Sequence, residues 1–350
     1  MFSITLAPFW VYRGVSWCAA RVHAVPRRSV AAAWIVYGVC LIGALGSGLG
    51  STESTPSPPP IRLIEMRSDA GVQVAAEAVQ EAAAEIVSEV PPAEEPLLNA
   101  MLPKANILID STAAYVLDET CGRVLYSKNE DRQVAPASLT KMMTALVAAD
   151  HVGDLDQVVS TVTSAKELKR KTGSSVMGLE PGMHLTMRDL LYGLMLPSGN
   201  DAAIEIARAV AGDVDAFSAM MNEKAAQLGL TSTHFDNPHG LDSAGLRSTA
   251  RDLVVLGQAM MANPLLAEIS RAGTYRVEDI ELKNGNKMIA EYQGTYGVKI
   301  GYTGDASHTI VVAAERDGHR VYASVLGSEV PYVDATALLD WAFGPGRIAC

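Results

Sequence analysis

The chain has 350 residues, 49% apolar and 19% charged, with 29 Gly and 17 Pro; this excludes a disordered polymer or collagen-like repeat and leaves room for one large domain or two. The net charge of −11 is unevenly placed. No Asp or Glu precedes Glu53, but Arg13, Arg21, Arg27 and Arg28 do, so the remainder, with those four positive charges set aside, carries −15 and is a poor partner for nucleic acid.

Residues 1–29 form a short basic segment. Val30 to Leu49 is an uncharged run of 20 residues, long enough for a bilayer core of about 30 Å. Arg27 and Arg28 before it and Glu53 after it place residues 1–29 in the cytoplasm and everything beyond residue 50 outside the membrane. A retained anchor and a cleaved signal peptide, with Ala44-Leu45-Gly46 as the cleavage site, lead to the same extracytoplasmic destination. Residues 50–105 read as a linker: Ser51–Pro60 is a polyproline-forming run, and Gly71–Val90 alternates Ala and Glu before Pro91 and Pro92.

From residue 106 to 345 the texture is that of a packed domain, followed by a tail at 346–350. Ala113–Asp118 and Arg123–Tyr126 read as a hairpin around Glu119–Gly122. Helices are predicted from Ser138 to Ala149 and over Met187–Met195, Asp201–Ala211, Val214–Leu228 and Thr249–Met261, with Ser248 as an N-cap and Gly229 just past a helix end. Strands follow at Tyr296–Tyr302, Thr309–Glu315 and Arg320–Leu326, the last two joined by Asp317-Gly318, and Asp334–Phe343 closes the chain as a helix. Strands at both ends with helices between imply an α+β body, its terminal strands sharing one antiparallel sheet flanked by helices and a helical lobe. The cysteines Cys18, Cys40, Cys121 and Cys350 are too scattered for a disulfide framework. Neither they nor the His residues fall at ligand spacing, so no metal is expected.

Three short motifs carry possible chemistry. Ser138-Leu139-Thr140-Lys141 puts a hydroxyl and an amine three residues apart on one helix face, and a desolvated neutral Lys can take the proton of a Ser nucleophile. Ser198-Gly199-Asn200 offers a second hydroxyl and an amide at a helix start, where a plain capping turn is the bland reading. Lys299-Ile300-Gly301 lies on a strand running into Tyr302 and Thr303, and a strand Gly often marks close approach by another backbone or a ligand.

In this order, S-x-x-K, S-x-N and K-x-G resemble the penicillin-recognising serine hydrolases. Ala135–Ala145, Gly173–Ala203, Asn237–Asp242 (NPHGLD) and Ser248–Leu253 narrow the resemblance to the D-alanyl-D-alanine carboxypeptidases of the low-molecular-mass penicillin-binding proteins, peptidase family S11 type, over about residues 107–345. The resemblance implies a β-lactamase/transpeptidase-like fold, no cofactor, peptidoglycan stem peptides as substrate and β-lactams as covalent inhibitors. It assigns Ser138 as nucleophile, Lys141 as its base and Ser198 as proton relay to the leaving amine. Asn200, Lys299, Gly301, Tyr302 and Thr303 become substrate-binding residues, and the N–H groups of Ser138 and Tyr302 form an oxyanion hole.

Two departures strike one task. The family's third motif is usually Lys-Thr-Gly, whose Thr helps hold the substrate's terminal carboxylate, and here Ile300 stands in the middle. An Arg before the closing helix is also common, and here the segment reads Glu329-Val330-Pro331-Tyr332. Weakened or re-targeted activity is therefore expected. The family's usual C-terminal membrane-associated segment does not follow residue 345, so residues 30–49 are expected to supply membrane attachment. The rival readings are a cell-wall binding protein with little turnover and a class A-like β-lactamase, which needs a deacylating Glu not evident between Ser198 and Lys299.

Overall fold

The computed structural model describes residues 107–346. The expected basic segment, membrane segment, linker and residues 347–350 lie outside the described residues. The chain opens with β1 (Ala113–Asp118) and β2 (Arg123–Lys128), then a 3-10 turn (Ala137–Leu139) leading into α1 (Thr140–His151). A ribbon of β3 (Val158–Ser160) and β4 (His184–Thr186) brackets α2 (Ala165–Thr172). The helical lobe continues with α3 (Met187–Met195), α4 (Asn200–Ala211) and α5 (Val214–Gln227). After a long loop come α6 (Ala250–Ala262), α7 (Pro264–Arg271), the hairpin β5 (Thr274–Val277)–β6 (Ile280–Lys283) and the single turn α8 (Met288–Glu291). The chain returns through β7 (Thr295–Thr303), β8 (Ser307–Arg316) and β9 (His319–Ser328) to the closing helix α9 (Pro331–Phe343).

The main sheet is antiparallel, in the order β2-β1-β9-β8-β7, so the two ends of the domain meet in its centre, where Tyr115 pairs with Ser324. Alternation along β8 divides the core. Ile310, Val312 and Ala314 face Leu338, Leu339 and Ala342 of α9, while Val311 and Ala313 face the helical lobe with Tyr115 and Tyr322. The β8–β9 turn holds Asp317 and Gly318 at φ 50° and 80°, the positive angles that a tight two-residue hairpin requires. At the order's far end, β7 has one edge without a strand partner among the described residues.

Most predicted helices and strands fall within one or two residues of their expected limits. Ser248 is not the α6 cap: Thr249 is, its hydroxyl accepting from Asp252 N at 3.1 Å, while Ser248 pairs its backbone with Val134. The T-x-x-D spacing suits a side-chain cap one residue later. Cys121 at the β1–β2 turn, read from sequence as solitary, is disulfide-bonded; spacing alone does not reveal pairing. Asp118, Cys121 and His319 cluster there, but the thiol is committed and Asp118 takes His319 Nδ1 at 2.7 Å, so the group locks two turns together. No single helix among the described residues is long and apolar enough to cross a membrane.

Candidate active site

The 3-10 turn projects Ser138 into a cleft of about 440 Å³ between the edge of β7 and the loops of the helical lobe. One helical turn on, Lys141 is fully buried. Its Nζ donates to Ser138 Oγ at 3.0 Å, Asn200 Oδ1 at 2.6 Å and the His239 carbonyl at 2.6 Å. Burial holds this amine well below the ordinary lysine range, the nearby Lys299 charge adds to the effect, and Asp201 opposes it. Three acceptors with one poorly solvated amine between them fix the direction of the lone pair or proton that meets Ser138.

Asn200 opens α4, and its placement depends on the residue after it. The buried Asp201 carboxylate accepts from the backbone N–H groups of Met177, Gly178 and Leu179 at 2.8–3.0 Å, tying the 173–179 segment to the start of α4. Gly199 has no room for a side chain, since a Cβ there would lie 2.8 Å from the Gly193 carbonyl. Ser198 has φ 63°, a conformation that costs an ordinary residue about 1 kcal/mol or more. Its Oγ is buried at the cleft wall without a hydrogen-bond partner, so the structure brings Ser198 to the site but does not bond it to Lys141.

The third motif closes the other side. Lys299 is buried, its Nζ donating to the Ile300 carbonyl at 3.0 Å, and desolvation brings it down to about 7. A Cβ on Gly301 would stand 2.8 Å from Ser138 N and 2.7 Å from Thr309 Oγ1, so β7 passes this close to Ser138 only because residue 301 is Gly. Tyr302 is 63% exposed and rests on His308, with ring centroids 4.6 Å apart. Thr303 lines the cleft while its Oγ1 accepts from Ala306 N at 3.2 Å. Ser138, Ser198, Asn200, Gly301, Tyr302 and Thr303 thus share one cleft, with Lys141 and Lys299 buried behind it.

Two contributors had gone unassigned. Asp201 pins a loop, and the Asn237–Asp242 loop cradles the Ser138 turn and Lys141. In that loop the His239 carbonyl takes Lys141, the Pro238 carbonyl accepts from Thr144 at 2.6 Å, and a side chain at Gly240 would overlap the Ala137 carbonyl. The His239 ring, pushed down to about 3 by burial and Lys141, stays neutral. The S-G-N-D string held the signal for Asp201; His239 lies in the NPHGLD stretch that carried the resemblance, but its contact is made by a backbone carbonyl, which no side-chain pattern marks.

The sheet with its helical lobe and the Ser–Lys–Asn cleft define the transpeptidase-like fold of penicillin-binding DD-peptidases. The Streptomyces K15 DD-transpeptidase superposes with a TM-score of 0.65 at 32% identity, covering 68% of this chain and 98% of that one. A penicillin binding protein 5 structure from Haemophilus influenzae gives 0.64 at 29% identity, over 69% of this chain and 73% of that one. Residues 99–330 match the Peptidase S11, D-alanyl-D-alanine carboxypeptidase family, and the chain belongs to it. Among curated relatives, the D-alanyl-D-alanine carboxypeptidase DacF of Bacillus subtilis is 33% identical over 67% of this chain. DacB2 of Mycobacterium tuberculosis is 38% identical over 65% of this chain and 80% of its own length. The alignment spans 62% of the length of DacF and of the Escherichia coli DacC, less than two thirds of each.

Proposed function

We propose that the protein is a serine-type D-Ala-D-Ala carboxypeptidase that acts on peptidoglycan stem peptides outside the membrane, held there by residues 30–49. The observation that carries this reading is the 3.0 Å contact between Ser138 Oγ and a buried Lys141 amine whose proton affinity is depressed. An amine near neutral pH with its proton off is a competent base. The substrate peptide lies along the unpaired edge of β7, extending the sheet by one strand. Ser138 attacks the penultimate D-Ala carbonyl and gives its proton to Lys141. The N–H groups of Ser138 and Tyr302 take the oxyanion, a contribution worth about 3–4 kcal/mol per donor. Ser198, whose hydroxyl has no protein partner to give up, passes the proton on to the leaving amine. Water then hydrolyses the acyl-enzyme. β-Lactams acylate the same Ser138. Ile300 weakens or re-targets the reaction, because a hydrocarbon side chain lines the cleft where a hydroxyl serves the substrate carboxylate in the family pattern.

Fluorescent penicillin and an acyl-D-Ala-D-Ala peptide test the reading on the full chain. Long-lived labelling that disappears in Ser138→Ala, with slow release of D-Ala, is the expected result. Rapid loss of the label points to a β-lactamase. Absent labelling with retained muropeptide binding points to a wall-binding protein.

A further inference from the structure

The leaving-group end of the cleft has a chemistry of its own. Ile300, Ile310, Pro331 and Tyr332 line it, and the apolar surface continues over Val330 and Val333, which are 45% and 65% exposed on the first turn of α9. No Lys or Arg is found among the described residues lining the cleft, and its one acidic side chain is Asp242. Lys299 gives its Nζ to the Ile300 carbonyl and is buried behind the wall. Glu329, two residues before Pro331, accepts from Ser307 Oγ at 2.8 Å beside His308. A carboxylate entering here meets hydrocarbon and no cation among the described lining residues, and the neighbouring hydroxyls of Thr303 and Tyr332 are already engaged with Ala306 N and the Gly285 carbonyl. Such a group is poorly held without a cationic partner, because its lost hydration is only partly replaced. A peptide chain that continues as an amide brings no such charge and buries its backbone against apolar wall.

We propose that this end of the cleft accepts a residue without a free carboxylate, so that the preferred scissile bond is an internal D-Ala amide, as in a cross-linked or C-terminally amidated peptide. This rests on the serine-hydrolase reading of Ser138 and names its substrate class. In the reaction Ser138 Oγ bonds to the D-Ala carbonyl carbon as its C–N bond breaks, and the hydroxyl proton travels through Lys141 to the departing amine. Water then splits the ester, its OH staying on the D-Ala carbonyl and its hydrogen returning to Ser138. No other reactant is consumed.

The test compares three donors with one common acyl-D-Ala group, followed by D-Ala as the free acid, by D-Ala amide, or by D-Ala-Gly amide, with the full chain and amine release followed by chromatography. The amide and extended donors are expected to exceed the acid at least tenfold in kcat/KM. The extended donor leading identifies a cross-link as the source, and the simple amide leading identifies an amidated end. The double variant Ile300→Thr/Glu329→Arg is expected to reverse the order. An acid equal to or better than both amides overturns the proposal while leaving Ser138 chemistry intact. Failure of all three donors together with absent penicillin labelling overturns the serine-hydrolase reading, and this proposal with it.

Discussion

Replacing Lys299 with Met isolates the cost of one buried amine. Lys299 is 2% exposed, and desolvation lowers its pKa from 10.5 to about 7. The unfolded chain binds a proton that the folded chain releases throughout the interval from 7 to 10.5, so stability rises with pH there and is flat below it. Displacement by that amount costs the fold about 4 kcal/mol at pH 7 and about 2 kcal/mol at pH 9, at 1.36 kcal/mol per pH unit. Met has similar reach and no charge, but it strands the Ile300 carbonyl that Lys299 satisfies, which returns about 1–2 kcal/mol. Lys299→Met is therefore expected to stabilise the protein by roughly 2–3 kcal/mol at pH 7, raising Tm by at least about 4 °C, while penicillin acylation falls. Calorimetry at pH 7 and pH 9 measures both parts. The wild-type melting temperature should climb between these values, with Lys141 adding in the same direction, and the variant should climb less. A variant that melts below the wild type at pH 7, or a wild type that loses stability from pH 7 to 9, refutes the desolvation account.

Gly301→Ala tests the close passage of β7 over the nucleophile. The added Cβ meets Ser138 N and Thr309 Oγ1 below 3 Å, so β7 must retreat, and acylation by penicillin should drop about 100-fold or more as the oxyanion donor is displaced. Stopped-flow acylation within threefold of wild type would show that the strand has room. Asn263→Ala probes the scaffold instead. Asn263 Oδ1 caps α7 by accepting from Leu265 and Leu266 N–H at 3.1 and 3.3 Å, so its loss should cost about 1 kcal/mol, or 2–4 °C in Tm, with acylation kinetics unchanged.

The readable parts of this protein are those governed by local rules. Apolar, β-branched-rich runs marked β8 and β9, and Asp317-Gly318 marked the turn between them. Two of the three motifs were legible because they sit at helix starts, where backbone and side chain are jointly constrained, and the third because a Gly interrupts a strand. Smaller elements escaped for physical reasons. β3 and β4 have three residues each, too few to show alternation, and α2 buries only Ala165, so its apolar period is absent and only its Ser164 cap and Gly173 terminus mark it. The Asp201 carboxylate, the His239 carbonyl and the depressed proton affinity of Lys141 come from residues far apart in the chain, and only the fold brings them together.

The cleft brings several local costs together. Two lysines are buried within electrostatic reach of one another, with Asp201 the opposing charge that acts on Lys141, and Ala137 and Ser198 flank the chemistry at φ 50° and 63°. Conformations of this kind persist only where surrounding contacts over-determine them. Here those contacts are polar and convergent. Thr309 holds the Pro136 carbonyl, Gly240 presses on the Ala137 carbonyl, Thr144 holds Pro238, and Asp201 holds three consecutive amides. The first two ties hold the Ser138 turn itself, the third holds α1 to the 237–242 loop and the last holds the start of α4, so Ser138, Lys141 and Asn200 are positioned before any ligand arrives. A site arranged in this way spends little binding energy on assembling itself. Selectivity is then left to side chains that do not take part in the fixing, and those of Ile300 and Tyr332 are such walls: they can be exchanged to change what leaves without disturbing what attacks.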